Sequence, residues 1–363
     1  MTTARVRIAV DAMGADSAPL VEVQGALAAA ASGELDVVLV GDEARLRPML
    51  DQAGPAALSG RVQIRHAPEV VGMDEAPVIA FRHKKASSMR VCFDLAKAGE
   101  VDAVVSAGNS GALMAGALFV LGRIDGLDRP AIITSLPTTG DPCVMLDMGA
   151  NVDPKPGMLA QFAVVGATYA RLVHGKPRPR VGLLSNGTEE QKGTALTREA
   201  HLLLTRPSPA TRQHPGFDYL GYVEGRDIFR GQIDVVVTDG FTGNVVLKSC
   251  EGLVDWLIRT AKDEVGKSGW LTRLGAGLMR PALRRFRRRT DYAETGGAPL
   301  VGVDGVVLIC HGASDARAIK NAVLTAAQFA RVSLLRELSR AVDEHNYLWQ
   351  PASPTAGAPT PGA

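Results

Sequence analysis

Residues 103–121 read Ala-Val-Val-Ser-Ala-Gly-Asn-Ser-Gly-Ala-Leu-Met-Ala-Gly-Ala-Leu-Phe-Val-Leu, and this stretch decides the fold. A short β-branched run runs into a loop of Gly, Asn and Ser, and a segment of small and apolar residues follows at helical spacing. That order is the local mark of a strand-loop-helix unit feeding a mostly parallel sheet. Residues 112–121 are the longest apolar run, too short to cross a bilayer and flanked by glycine. The unit recurs along the chain. Residues 7–10 precede Asp-Ala-Met-Gly, 144–146 precede Asp-Met-Gly-Ala-Asn, and 181–184 precede Ser-Asn-Gly-Thr-Glu-Glu. Residues 235–237 precede Thr-Asp-Gly-Phe-Thr-Gly-Asn, and 306–309 precede Cys-His-Gly-Ala-Ser. In such sheets ligands sit beyond the carboxyl ends of the strands, where loop N–H groups and helix N-termini converge, so these loops are expected to line one cleft. Turn formation alone also accounts for any single loop of Gly, Asn and Asp.

Composition narrows the class. The chain has 363 residues, 46% hydrophobic and 21% charged, which fits a globular domain with a large core. A formal net charge of +2 gives no global argument for nucleic acid, and none is expected as a partner. Cys92, Cys143, Cys250 and Cys310 are far apart, without the spacing of a zinc site or a disulfide framework, and a reducing compartment follows. The start of the chain has no signal-peptide pattern, so a cytoplasmic location is expected. One α/β domain over residues 1–348 and a disordered tail over 349–363 are expected, because Pro, Ala, Ser, Thr and Gly dominate the end. Residues 206–215, rich in Pro and basic side chains, read as a surface loop.

Several loops carry the chemistry of an anion site. Asn109, Ser110 and Gly111 open a helix, where backbone N–H groups and the helix dipole favour a phosphate or carboxylate. Lys84 and Lys85 stand just before Ser87 and Ser88, a set that could hold several oxygens of a phosphate dianion, or equally a basic face with a serine cap. Lys192 follows a strand end in a loop with Asn186, placed to stabilise an oxyanion or grip phosphate. Asp239, Thr242, Gly243 and Asn244 form another nest of donors, and His311 sits at a strand end as a candidate proton donor or oxyanion ligand. Cys310 reads as strand interior and is no nucleophile. The nucleophile elbow, the zinc-protease helix, the Walker loop and a dinucleotide fingerprint are all absent from the sequence, so a nicotinamide cofactor has no direct support. A protein rich in anion donors and without a side-chain nucleophile suits chemistry in which the anion itself attacks.

Read in order, the loops resemble the bacterial phosphate acyltransferases of glycerolipid synthesis, the PlsX family. The matching stretches are DAMGAD with Pro19, MDEAPV, RHKKASSM, SAGNSGALMA, LDMGANVDPKP, EEQKG, VEGRDI, VTDGFTGNVVLK, GGAPLVGVDG and CHGASD with AIKNAV, from residue 7 to about residue 346. Ala15 stands where a second glycine is usual and Ser17 where histidine is frequent. The resemblance implies transfer of a fatty acyl group from an acyl-carrier-protein thioester to inorganic phosphate, giving acyl phosphate for phospholipid synthesis. It also implies a metal-free, cofactor-free site, a homodimer, and a fold similar to isocitrate dehydrogenases and phosphotransacetylases. On that basis Asp11, Gly14, Lys84, Lys85, Ser87, Ser88, Asn109, Ser110, Gly111, Asp153, Asn186, Thr242, Gly243 and Asn244 are candidates for holding substrate. Lys192, His311, Asp239 and Asn151 are candidates for oxyanion stabilisation, positioning or proton transfer.

A second feature stands apart from the loops. Residues 253–286 read as a helical hairpin, broken at Pro281, within a projection of about residues 251–290. Between Trp270 and Arg289 arginines abound and acids are missing. Leu271, Leu274, Leu278, Met279, Leu283 and Phe286 fall on one half of the wheel, and Arg273, Arg280, Arg284, Arg287 and Arg288 on the other. That pattern suits an anionic lipid surface, an acidic carrier protein, or both, with a dimer contact as the structural alternative. Peripheral membrane association, and contact with the downstream glycerol-3-phosphate acyltransferase, are what the resemblance implies. Two rivals remain: a decarboxylating dehydrogenase of the isocitrate type, which requires nicotinamide and a divalent metal, and a scaffold that tethers carrier protein at the membrane.

Overall fold

A computed structural model describes residues 5–33, 35–53, 60–207, 216–283, 285 and 296–350. The mostly parallel α/β class holds, and the strands divide between two sheets. The first contains β1 (Val6–Asp11), β2 (Leu35–Gly41), β3 (Val62–His66), β4 (Ala103–Ser106), β5 (Ala131–Ile132), β11 (Ala298–Val301) and β12 (Val306–Ile309), in the order β3-β2-β1-β4-β12-β11-β5. The second contains β6 (Thr134–Leu136), β7 (Cys143–Leu146), β8 (Arg180–Leu184), β9 (Asp218–Val223) and β10 (Val235–Val237), in the order β6-β7-β10-β8-β9. β4, β7 and β10 are buried along their whole length. Burial on both faces is why they read as continuous Val, Leu and Met runs with no alternation.

Helices cover both sheets. On the first, α1 (Leu20–Ser32) lies against α10 (Ala316–Arg331), and α2 (Glu43–Gln52), α3 (Pro77–His83) and α4 (Ser88–Lys97) complete the layers. Gly25 sets how closely α1 meets α10, since a Cβ there would fall 2.6 Å from Cβ of Ile319. On the second sheet α6 (Pro156–Val173) is buried almost throughout and packs on β10, on α7 (Ala195–Leu204) and on α11 (Leu334–His345). One apolar core runs through both sheets, from Ile8 and Val105 through Phe162 and Phe329 to Val181 and Val235.

Topology decides where a site forms. β1, β4 and β12 are adjacent and parallel, as are β7, β10 and β8, so each sheet delivers three loops to one edge. β5 is antiparallel to β11, which is antiparallel to β12, so β5 points the same way as β12. β6 runs antiparallel to β7. The chain therefore leaves the first sheet at its carboxyl edge and enters the second at its own carboxyl edge, and the two edges meet around Ile133. Ile132 seals the joint: its N–H donates to Asp147 Oδ1 at 3.1 Å and its carbonyl accepts the N–H of Met148 at 3.0 Å.

The segment after β4 departs from a plain helix. α5 (Ser110–Gly116) gives way to a π-helical turn at Ala117–Leu121, which Gly122 ends with a φ of 95°. The hairpin also differs in its limits. α8 (Gly240–Lys267) starts well before residue 251, and α9 (Trp270–Leu278) ends at Met279, two residues ahead of Pro281. Helix resumes at Arg280, leaving Pro281 in a first turn, where its missing N–H is no loss. Arg284, Phe286 and Arg287, like residues 351–363 and 208–215, lie outside the described residues, whereas Trp349, expected in the disordered tail, is half-buried against the core.

Candidate active site

The loops after β1, β4 and β12 are bound to one another. Asp11 is buried, its Oδ2 accepts the hydroxyl of Ser106 at 2.7 Å, and its Oδ1 accepts the N–H of Met13 at 3.2 Å. Ser106 Oγ in turn accepts the N–H of Gly108 at 3.1 Å. Gly14 is required by contact, since a Cβ there would fall 2.6 Å from the Gly108 nitrogen. The Asp16 N–H donates to the Gly312 carbonyl at 2.8 Å, which brings the His311 loop beside the first. His311 is exposed, and its Nδ1 accepts the N–H of Ala313 at 3.1 Å. Burial pushes the Asp11 carboxyl upward, against the hydroxyls of Ser88 and Ser106, which pull it down.

Several predicted ligands are engaged in holding this edge together. Asn109 caps α5 by accepting the N–H of Ala112 at 3.1 Å, while its amide donates to the carbonyls of Gly72, Met73 and Glu75. Gly111 is pressed against the ring of Pro77, and Ser110 is exposed beside it. Lys84 donates to the Val70 carbonyl at 2.7 Å and pairs with Glu75 at 2.5 Å, holding that carboxylate below its usual range. Ser87 is the buried cap of α4, and Ser88 is buried next to it. Lys85 is exposed and forms no ion pair among the described residues. The RHKKASSM stretch thus combines a serine cap, a structural lysine and one lysine open to ligand.

The second group is built on a residue that the sequence did not single out. Asp147 is fully buried, and its Oδ1 accepts N–H groups of Ile132, Gly149 and Ala150. Its Oδ2 accepts the backbone N–H of Asn151 at 2.6 Å and the Asn151 amide at 2.9 Å. Asn151 also donates to the Pro130 carbonyl at 2.7 Å, and its own carbonyl accepts the Gly240 N–H. Gly243 sits directly on the Asp147 carbonyl, where no Cβ fits. Asp239 caps α8 through the N–H and the hydroxyl of Thr242, both at 2.8 Å. Asn244 and Asp153 are exposed at the same edge. After β8, Asn186 Oδ1 accepts the Gly193 N–H at 2.9 Å, which shapes a loop that displays Lys192 in solvent. Its ammonium makes no ion pair among the described residues.

Glu22 and Ser106 were missed as well. Glu22 lies on the face of α1 that carries Ala26 and Ala29, and a charge on an apolar face was the available signal. Its carboxyl, pushed up to about 7 by burial, backs the first loop and accepts the Ala15 N–H at 2.8 Å. The thiols offer no activated nucleophile: Cys92, Cys143 and Cys310 are buried and burial raises each, the latter two to about 12, and half-buried Cys250 in α8 is also raised, by desolvation and by Glu251. What the edge presents is a set of loops braced by buried carboxylates, with Lys85, Lys192 and His311 exposed, an arrangement suited to an anion and a polarised carbonyl.

Comparison with known proteins places the chain in a family. Residues 6–336 match the family model described as fatty acid synthesis protein. A phosphate acyltransferase of Syntrophotalea carbinolica is 54% identical over 88% of this chain and 89% of that protein. The phosphate acyltransferase of Geobacter sulfurreducens is 50% identical over 93% of this chain and 94% of that protein. Among solved structures, a phosphotransacetylase from Streptococcus pyogenes aligns with a TM-score of 0.56 at 20% identity, over 89% of this chain and 94% of that one. EutD phosphotransacetylase from Staphylococcus aureus aligns with a TM-score of 0.55 at 14% identity, over 90% of this chain and 94% of that one. These two show a shared fold. The sequence matches, which span most of the chain, go further: it belongs to the fatty acid synthesis protein family, the PlsX phosphate acyltransferases, and is an acyltransferase.

Proposed function

We propose that the protein transfers a fatty acyl group from an acyl-carrier-protein thioester to inorganic phosphate, releasing acyl phosphate for phospholipid synthesis. A phosphate oxygen attacks the thioester carbonyl, the C–O bond forms, the C–S bond breaks, and the proton released by phosphate ends on the departing thiol. The observation that supports this reading is the pairing of raised thiols, three of them buried, with an edge of braced loops where Lys85, Lys192 and His311 are exposed. No acyl-enzyme is required when the anion is itself the nucleophile. Lys192 or His311, with loop N–H groups, stabilises the oxyanion, and Asp239, Asn151 and Asp153 orient the donors.

The test is hydroxylamine trapping of acyl phosphate made from an acyl-carrier thioester and phosphate, without added metal or nicotinamide. Phosphate-dependent product is expected, and Lys192→Ala should lower turnover about a hundredfold. Wild-type protein that is folded yet yields no product overturns the reaction; a variant with normal turnover removes Lys192 from it.

A second reading concerns partners. The projecting hairpin of α8 and α9 attaches the enzyme peripherally to an anionic membrane from the cytoplasmic side, where it meets acyl carrier protein and the downstream glycerol-3-phosphate acyltransferase, in a homodimer. The exposure of Trp256, Leu257, Trp270, Leu271 and Leu274 supports this reading.

A further inference from the structure

Glu22 is fully buried in the first turn of α1, and only half of its carboxylate is satisfied. Oε1 accepts the Ala15 N–H at 2.8 Å, while Oε2 has no hydrogen-bond partner among the described residues. A buried carboxyl with an unmet oxygen is costly, and an apolar side chain of similar size would fill the space without that cost. What the carboxyl alone supplies is an acceptor for residues 11–16. That loop is the joint of the first edge, since Gly14 rests on Gly108 and the Asp16 N–H is bound to Gly312. Asp11 takes the amide of Met13 and Glu22 takes the amide of Ala15, so two buried carboxyls hold alternate N–H groups of one loop. The charged and titratable groups facing Glu22 are Asp11 at the end of β1, Arg45 of α2 and the thiol of Cys310 at the end of β12.

We propose that Glu22 is a positioning residue for acyl transfer: it clamps residues 11–16 against the loops that follow β4 and β12, and its charge governs how readily that edge accepts a phosphate dianion. The inference rests on the phosphate-acceptor reading above. Either protonation state can accept from Ala15, so the clamp persists. Ionisation, however, adds a negative charge beside Asp11, behind the loops that receive phosphate, and one neighbouring cation, Arg45, offsets only part of it. Phosphate binding therefore weakens as Glu22 loses its proton, around pH 7, where burial has moved it.

The experiment compares wild type, Glu22→Gln and Glu22→Leu in initial rates at varied phosphate, from about pH 6 to about pH 8.5. Phosphate's own ionisation is common to all three and cancels in the comparison. The wild-type KM for phosphate should rise by about tenfold over this range relative to Glu22→Gln, with kcat changing much less. Glu22→Leu, which removes the acceptor, should raise that KM about tenfold at every pH. Three identical KM profiles overturn the role in phosphate binding. The clamp is read separately by hydrogen exchange of peptides covering residues 11–16 in substrate-free protein, where Glu22→Leu should lose protection and Glu22→Gln should keep it. Equal protection in all three sinks the clamp. Intact exchange differences with no acyl phosphate from wild type would instead count against the reaction and leave the clamp standing.

Discussion

Gly243 has a packing role that its sequence context does not suggest. Its position in Asp239-Gly240-Phe241-Thr242-Gly243 suggested a nest of donors, yet its task is to let α8 touch the carbonyl of Asp147. Asp147 itself was invisible, because nothing local in Leu-Asp-Met-Gly says that five N–H groups will converge on one carboxylate. Lys192 was legible because Gly193, with a φ of 84°, marks a loop and leaves the ammonium in solvent. Glu22 carries the prediction at this scale. Burial lifts its carboxyl from 4.5 to about 7. Between those values the unfolded chain has Glu22 ionised while the folded chain keeps the proton, so stability falls as pH rises through that window. Below it both states are protonated, and above it both are ionised and the loss, roughly 3 kcal/mol, is complete. Urea melts at about pH 5 and about pH 8 should show a larger fall for wild type than for Glu22→Gln, by up to roughly that amount. Comparing the change with pH removes any constant effect of the amide. An equal change in both proteins would mean that Glu22 titrates as an ordinary surface carboxylate.

Strands and helices differ in how much of them the sequence reveals. Runs such as Val235–Val237 and Val306–Ile309 were read at their observed limits because they are buried on both faces and bounded by loop residues. β5 and β6, with two and three residues, are too short to leave a periodic trace. Residues 239–244 read as a donor-rich loop, whereas the structure already starts α8 at Gly240, capped by Asp239 through Thr242. Beyond Gly243 no residue of α8 is buried, and Leu253, Trp256 and Leu257 face outward, as do Trp270, Leu271 and Leu274 of α9. An apolar face of that extent with Arg273 and Arg280 on the same segment fits an anionic bilayer. Each arginine near such a surface contributes about 1 kcal/mol. Replacing both by Gln should weaken sedimentation with anionic vesicles by about tenfold or more, and added salt should reproduce part of the loss. Binding that persists in a variant with these arginines changed to Glu would refute the lipid reading and point to the carrier protein or a second copy of the chain.

At the scale of the molecule the two sheets share one core, and this is the property that the repeated local pattern could not convey. Each strand-loop-helix unit looks the same whether it joins the first sheet or the second; the partition appears only where β5 hands over to β6 at the carboxyl edges. α10 packs on β1, β4 and β12, whereas α6 packs on β7, β8 and β10. Between these helices the rings of Phe329 and Tyr169 meet edge to face, with centroids 5.6 Å apart and planes at 74°. Phe329 is fully buried, so truncation removes a ring from the middle of the shared core and not from the periphery of one sheet. Phe329→Ala should cost about 3–5 kcal/mol. If the sheets fold as one unit, hydrogen exchange in β4 and in β10 should speed up by the same factor, because both open through the same global unfolding. Loss of protection confined to β4, with β10 unaffected, would mean that the sheets are separate folding units joined at a hinge. The site at their meeting edges would then be assembled by docking, and Phe329→Ala would raise KM for both substrates while each half stayed folded.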